Sequence, residues 1–432
     1  MENLKDELNK TQAEHKPKGF WLNLVLFVFV LYNLFFAGTL FLSRGFSWNV
    51  DFRGYYSAGQ IMNERRVVDI YDLDVLSAYQ DELRSPSLDP DENQEVAGML
   101  YLPVFLVPFR LFALFDMPVG MLLWDGLNVV LLILYLVHFS KQVSGKTLPL
   151  QTLVLMLISF PVFRNFLDGQ VNVWMLICFG EFLLAITTDK PLKSGLWLGG
   201  LLIKPHFLML VLLFLLIQKK FKAIGGFALS TLAIAGLSFI LIGWEGLLSL
   251  TDVIQEAALG GVSSFGEVMM NWRALGFYVG LLTTPAIGEI FSTSLSLVTG
   301  LLPLAIFRRR MDADAPVFVI ALLGVLAATT AAVYHAHIHT AMILIPALLY
   351  LYLKGYLDKK LLVTWVLIPE VGFFLQFIVV AVTSLFDLSF LPSNLVTFVY
   401  GQSMMVANLI LLAWSVKKGL EWQRDRLVEA QM

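Results

Sequence analysis

Acids, amides, cations and imidazoles gather in a few short stretches of an otherwise greasy chain: NVDFRGYYSAG (49–59), FRNFLDGQVN (163–172), KPH (204–206), NWR (271–273) and YHAHIH (334–339). Asp51, with Arg53, Tyr55 and Tyr56 beside it, reads either as a solvated loop acid or as a carboxylate able to take a proton from a hydroxyl, which is general-base work. Lys204 lies in the apolar run GLWLGGLLIKPHFLML. It is either a lysine that snorkels to a membrane surface or an ammonium presented to a pocket, where it would bind a phosphate. The glycine pair at 199–200 and the break at Pro205 point to the pocket. Arg164 and Arg273 suit the same task, with lipid headgroups as their alternative partners. Asp168 has the side chain of a helix cap, whereas Gln170 and Asn172 after it carry amides of the kind that bind sugar hydroxyls. His335, His337 and His339 alternate, which aligns all three on an extended strand but only His335 with His339 on a helix. A metal site, contact with a substrate or phosphate, and simple polarity at a helix end all fit them, and no nearby cysteine or HExxH pattern supports zinc. His206 and Asn271 complete the polar set. Asp125 and Glu181 fall inside apolar runs, where an ionisable group either pairs across helices or lines a cavity.

These residues must be positioned by a membrane protein. Of 432 residues 58% are apolar and only 15% charged, far below the charged fraction of about 25% usual in soluble domains. The net charge is -3 and the basic residues sit in short runs between apolar stretches, which excludes nucleic acid as a partner class. A single cysteine, Cys178, rules out a disulfide framework or thiolate cluster within one chain. The polar residues 1–19 precede an apolar run too long for a signal peptide and without a small-residue cleavage site, so it reads as a retained first span.

Apolar segments of spanning length recur near 20–42, 118–139, 147–163, 171–187, 192–217, 223–243, 287–307, 316–333, 337–353, 361–384 and 393–414. Peptide groups in hydrocarbon must bond within their own segment, so these are helices, and the total expected is about 10–13. Basic loops at 218–222, 307–312, 354–360 and 417–426 mark the cytoplasmic side. YHAHIH and 385–393 then fall outside, as does the acidic loop 43–98, in which 64–84 reads as short interfacial helices with Val, Leu and Tyr toward the membrane. Placing SKQVSGK (140–146) and DKPLKSG (189–195) inside puts FRNFLDGQ outside. That needs 99–115 to be re-entrant or interfacial and 192–217 to be two short halves meeting at Lys204; the competing topology makes each a single span. Split helices there would also open a lateral groove for a lipid. The expected organisation is a cytoplasmic segment (1–19), an amino-terminal transmembrane module (20–243) including the outer loop 43–98, a second outer loop (244–286), carboxy-terminal helices (287–414) and a cytoplasmic tail (415–432).

In this order DFRGYYSAG, DIYD (69–72), YLPVFLVP (101–108), FRNFLDGQVNVW, GLWLGGLLIKPHFLML, NWRALG and AAVYHAHIHTAMILIP (331–346) resemble the membrane-embedded GT-C glycosyltransferases, most closely the family-87 group that includes bacterial polyprenyl-phosphate-mannose-dependent mannosyltransferases. The resemblance implies an all-α GT-C bundle in a bacterial inner membrane with its active site facing the periplasm or cell exterior. It implies a polyprenyl-phosphate sugar as donor and a lipid or glycan as acceptor. By the same likeness Asp51 is the catalytic carboxylate, and Lys204, His206, Arg164 and His335 face the donor phosphate. Arg53, Tyr55, Tyr56, Asp168, Gln170, Asn172, Asn271, Arg273 and His339 are then candidates for sugar or acceptor contact. YLP stands where a tyrosine with two prolines is more usual, which leaves the acceptor and the sugar open. A phosphate leaving group is already ionised, so the chemistry requires no metal or other cofactor, though it is compatible with a bound divalent ion. A secondary transporter or lipid flippase would also carry many helices around a polar cavity, but the chain shows no two-half symmetry.

Overall fold

The computed structural model describes residues 20–44, 50–83, 96, 98–258, 269–385 and 394–429, and all regular structure in them is helical. The expected segment 1–19, the centre of the second outer loop (259–268) and the loop at 386–393 lie outside the described residues.

Helix α1 (Phe20–Arg44) precedes α2 (Val50–Glu64), a 3-10 turn (Val67–Tyr71) and α3 (Leu73–Glu82). Two four-residue helices, α4 (Pro103–Leu106) and α5 (Phe109–Phe112), follow. Then come α6 (Met117–Ser144), the bent pair α7 (Leu150–Leu157) and α8 (Phe160–Leu167), and α9 (Asn172–Thr187). Next are α10 (Pro191–Leu198), 3-10 turns at Gly199–Ile203 and Pro205–Phe207, α11 (Leu208–Ile217) and α12 (Phe221–Ala258). The chain ends with α13 (Trp272–Leu282), α14 (Pro285–Ile306), α15 (Pro316–Ala332), a 3-10 helix (Ile338–Leu344), α16 (Ile345–Leu353), α17 (Lys359–Leu385) and α18 (Asn394–Glu429).

The molecule is an all-α polytopic membrane protein. Among the described residues α1, α6, α12, α14 and α18 are long and apolar enough to cross a membrane, and α7 with α8, bent by 51°, makes a sixth if the pair is one crossing. Shorter apolar helices lie at 103–112, 172–187, 205–217, 316–332 and 338–353, the last two of them largely buried. Helix α15 is apolar all round and buried from Phe318 to Ala331, as a helix at the centre of a bundle must be. It packs on α14, α16 and α18.

Residues 99–115 do not form one span; Pro103 and Pro108 divide them into two short helices. The 192–217 run is broken at Lys204, whose φ of -138° and ψ of 76° are not helical. Proline at 205 explains this, because its ring disfavours the α conformation in the residue before it. The glycine pair permits the 3-10 turn ahead of the break to lie hard against its neighbours: a Cβ on Gly199 would meet Ser230 of α12, and one on Gly200 the Cys178 sulfur of α9.

The short helices of the acidic loop do not turn their apolar side to the membrane. Ile70, Tyr71 and Leu76 are buried within the protein, because α2 and α12 already supply an apolar face there. Tyr71 donates to the Tyr101 carbonyl at 2.7 Å, and Arg66 reaches Glu245 of α12 at 3.3 Å. The second outer loop holds structure of its own: α12 runs on to Ala258 past a kink at Gly243, where φ is 61°.

The contact at Gly200 is directly testable. Gly200→Ala overpacks it and is expected to cost about 1–3 kcal/mol, read as a lower thermal midpoint in detergent. Cys178→Ala on the same background removes the obstructing sulfur and is expected to restore most of the loss; an unchanged midpoint for the single variant contradicts the packing.

Candidate active site

The site is assembled where α8 stops, where the Lys204 break falls and where α15 gives way to extended chain. Helix α8 ends in a Schellman turn: Gly169 takes φ 62°, the Gln170 amide donates to the Asn165 carbonyl at 2.8 Å, and the Gly169 amide to that of Phe166 at 3.2 Å. Glycine is the residue this left-handed position favours. Trp124 of α6 pins the turn by donating to the Gly169 carbonyl at 3.0 Å. The chain reverses, and Asn165 Oδ1 accepts from the backbone and side-chain amides of Asn172, both at 3.1 Å. Gln170 and Asn172 therefore face one point.

At that point stands Lys204, 7% exposed. Its Nζ donates to Gln170 Oε1 at 2.9 Å and Asn172 Oδ1 at 3.2 Å, and lies 3.4 Å from His339 Nε2. Every one of these acceptors is neutral, and among the described residues no carboxylate oxygen is within ion-pairing distance of Nζ. Burial lowers the lysine to about 8, with Asp51 and Asp168 opposing. Removing water from an ammonium disfavours its charged form unless an anion replaces the water.

Asp51 sits in the first turn of α2. Its carboxylate, that of Asp168 and a ring nitrogen of His339 come within 4.8 Å of one another. Burial, and after it the charge of Asp168, raises Asp51 to about 6, while hydrogen bonding from Gln170 and the Lys204 and Arg164 charges pull the other way. Gln170 Oε1 is taken up by Lys204 and by the Tyr55 hydroxyl at 3.3 Å, which leaves its amide hydrogens for Asp51. Asp168 is shared between Arg164 Nη2 at 2.8 Å and His339 Nδ1 at 3.3 Å. It does not cap α9, whose N-cap is Val171.

Two carboxylates and an imidazole are a donor set that holds divalent ions elsewhere. Here both ring nitrogens have work: Nε2 accepts from Lys204, so Nδ1 carries the hydrogen directed at Asp168. An imidazole with its lone pair already engaged is a poor ligand, and Arg164 and Lys204 supply the positive charge an ion would bring.

Val333 and His337 are extended, the chain between them is not helical, and the 3-10 helix begins at Ile338; the three histidine rings follow one another, 4.6 Å from 335 to 337 and 5.6 Å from 337 to 339. His206 continues the row, its ring 6.0 Å from that of His335. Burial, with Lys204 and Arg273 nearby, lowers His335 to about 4, so these rings are neutral hydrogen-bonding groups near neutral pH.

The structure thus brings together Asp51, Tyr55, Arg164, Asp168, Gln170, Asn172, Lys204, His206, His335 and His339. Tyr56 is not among them; a helix turns adjacent residues about 100° apart, and its hydroxyl donates to the Phe115 carbonyl at 2.8 Å. Arg53 is buried. Asn271 caps α13 by accepting from the Ala274 amide at 3.1 Å and donates to the carbonyls of Val333 and Tyr334 at 2.9 and 3.2 Å. Arg273 lies 3.6 Å over the Tyr334 ring. Tyr101 joins the cluster through a 2.8 Å contact with the Tyr55 hydroxyl; only its place in YLP hinted at it. Of the acids in apolar runs, Glu181 accepts from Tyr135 at 3.3 Å and faces His138 at 3.6 Å, while Asp125 has a buried oxygen with no hydrogen-bond partner among the described residues.

A family model described as glycosyltransferase family 87 matches residues 100–342, more than half of the chain. The chain belongs to glycosyltransferase family 87. As a family-87 protein it is a glycosyltransferase, and its helices make it a membrane-embedded one. The match takes in Arg164, Asp168, Gln170, Asn172, Lys204, His206 and the histidine row, and it begins after Asp51. Comparison with curated proteins and with solved structures gives no match.

Asn271 supports the candidate site from outside it. Asn271→Ala removes a cap worth about 0.5–2 kcal/mol and strips a donor from two carbonyls. A fall in thermal midpoint is expected, and Asn271→Ser, which keeps a capping oxygen, is expected to fall less; equal midpoints for all three proteins contradict this role.

Proposed function

We propose that the protein moves a hexose, mannose foremost, from a polyprenyl phosphate to a hydroxyl of a lipid or glycan acceptor, at the extracytoplasmic face of a bacterial cytoplasmic membrane. The observation that carries this reading is the buried Lys204 ammonium, held only by neutral acceptors among the described residues and a short way from Asp51. A buried cation of this kind is costly until an anion reaches it, and a lipid phosphate is the anion a membrane glycosyltransferase requires.

The acceptor hydroxyl oxygen attacks C1 of the sugar as Asp51 takes its proton. The bond from C1 to the phosphate oxygen breaks, and its electron pair stays on the phosphate, where Lys204 meets the developing charge. A direct displacement inverts the anomeric configuration. His206, His335 and Arg164 lie around the phosphate side, and Gln170 links the two halves by holding Lys204 and orienting Asp51. Burial first, and after it the charge of Asp168, keep Asp51 a stronger base than a free aspartate, whose reference pKa is about 3.9. Tyr55 and Asn172 border the space the sugar hydroxyls would occupy.

Incubating the purified protein with a panel of polyprenyl-phosphate sugars and a lipid extract, with product mass and linkage read out, tests the function. Asp51→Asn is expected to lower transfer by about 10²–10⁴-fold with little change in donor binding; near-normal turnover removes Asp51 as the base. The pH profile of kcat/KM follows from the same groups. Asp51 must be ionised, so the rate rises as pH climbs through about 6. Lys204 must be charged, so it falls as pH climbs through about 8. Asp168→Asn takes a negative charge away from Asp51 and is expected to move the acid limb downward; a limb that stays in place contradicts the electrostatic link.

A further inference from the structure

The hydroxyls of Tyr55 and Tyr101 lie 2.8 Å apart, and by that distance alone either could donate to the other. Lys204 decides between them. An ammonium has only hydrogens to offer, so the atom that Gln170 presents to Nζ at 2.9 Å is its oxygen. The same Oε1 lies 3.3 Å from the Tyr55 hydroxyl. It carries no hydrogen, so the Tyr55 hydrogen is directed to it. A phenol has one hydrogen to give; Tyr55 keeps none for Tyr101, and Tyr101 therefore donates to Tyr55. The direction of the whole line, from Tyr101 to Tyr55 to Gln170, is set by the ammonium at its far end, and the Gln170 amide hydrogens are turned to Asp51.

Tyr101 is left with its hydrogen spent and its oxygen lone pairs free. Among the described residues its hydroxyl has no hydrogen-bond partner except Tyr55, and the side chain is only half-buried. Its placement is firm. Tyr71 holds the Tyr101 carbonyl at 2.7 Å, and Pro103 starts α4 two residues on. The ring stands edge-on to that of Tyr55 at 5.4 Å, and Tyr55 in turn stacks on Phe109 of α5 at 4.8 Å. The charge of Asp51 is felt at both phenols, and along the line of hydrogen bonds only Gln170 and Tyr55 stand between Asp51 and Tyr101. An oxygen that can only accept thus stands near the base, and its complement is an O–H of a substrate.

We propose that Tyr101 selects the acceptor: the hydroxyl that attacks gives its proton to Asp51, while the hydroxyl on the neighbouring carbon donates to the Tyr101 oxygen. The inference rests on the proposed reaction and narrows its acceptor to a vicinal diol, as a sugar ring or a polyol headgroup presents, and away from an isolated primary alcohol. A ring hydroxyl at C2, C3 or C4 of a hexose has such a neighbour; the hydroxyl at C6 has none. A hydroxyl of the donor sugar is the competing partner. It has less claim, because the donor phosphate is placed at Lys204, whereas the site charge felt at Tyr101 is that of Asp51.

Octyl mannoside, with the analogues lacking in turn the hydroxyl at C2, C3, C4 or C6, serves as the acceptor probe for the full-length protein in nanodiscs. Tyr101→Phe keeps the ring and removes the oxygen. It is expected to weaken binding of octyl mannoside about three- to tenfold, the worth of one neutral hydrogen bond. One ring-deoxy analogue is expected to bind the unmodified protein as weakly and to lose nothing more with Tyr101→Phe, since both changes remove the same contact. Unchanged binding overturns the assignment. So does an equal loss for every analogue, which makes Tyr101 a support for Tyr55 and Gln170 alone. In a transfer assay with polyprenyl phosphomannose, a loss that vanishes only when a hydroxyl is deleted from the donor sugar gives the contact to the donor and overturns it too. Linkage analysis of the product formed from a lipid extract reads the same point: the joined carbon is expected to have a neighbour bearing a free hydroxyl. Binding of octyl mannoside that depends on Tyr101, with no transfer from any isoprenyl-phosphate sugar, would sink the proposed reaction and keep this contact; transfer to an isolated primary alcohol would do the opposite.

Discussion

A single ammonium, buried and served only by amide oxygens and an imidazole, sets the conditions for the rest of the site. Lys204 cannot keep its charge cheaply in that position. Two acids lie close enough to help by field alone, yet neither makes an ion pair with it. Asp168 is occupied by Arg164 and His339, and Asp51 is reached through Gln170. Two cations and two carboxylates balance, but their pairing is uneven. One pair is closed, and the other is held apart across an amide.

The scaffold reads as the means of holding that separation. Pro205 prevents Lys204 from continuing a helix, the Schellman turn at Gly169 brings Gln170 and Asn172 round to it, and Asn271 fastens the extended chain from which the histidines project. Each device acts at a helix end, where backbone groups are free to be redirected. The same logic explains why α15 is so uniformly apolar: it fills the middle of the bundle and leaves polar chemistry to the segment that follows. Gly276, Gly280 and Gly288 let α13 and α14 pack closely on each other, and a cavity of about 670 Å³ lies between that hairpin, α11 and the end of α15.

Much of this was legible in the sequence. Hydrocarbon forces long apolar runs into helices, so the elements near 20–42, 118–139, 171–187, 287–307 and 316–333 could be read from length and composition, and Pro205 marked the break at Lys204 in advance. The polar stretches were legible as a set because ionisable residues are conspicuous against so apolar a background. Partnership was not. Tyr55 and Tyr56 are neighbours in the chain, and only the rotation of α2 sends one to Gln170 and the other to Phe115. Asn271 resembles a sugar-binding amide until the carbonyls of Val333 and Tyr334 are brought to it from across the fold. The interfacial reading of 64–84 failed for a related reason: an amphipathic pattern says that one face is covered, and leaves unspecified whether lipid or protein covers it. A cavity lined by residues of four separate helices likewise has no periodic signature.

The central claim, that Lys204 waits for the phosphate of a lipid, is tested most directly on the unmodified protein by comparing its affinity for a long-chain isoprenyl phosphate with that for the matching isoprenyl alcohol as pH is varied. One or two charge-assisted contacts predict that the phosphate binds about a hundredfold more tightly near neutrality. That advantage should shrink as pH rises past about 8, where Lys204 loses its charge. Equal affinity for alcohol and phosphate across the range would contradict the account.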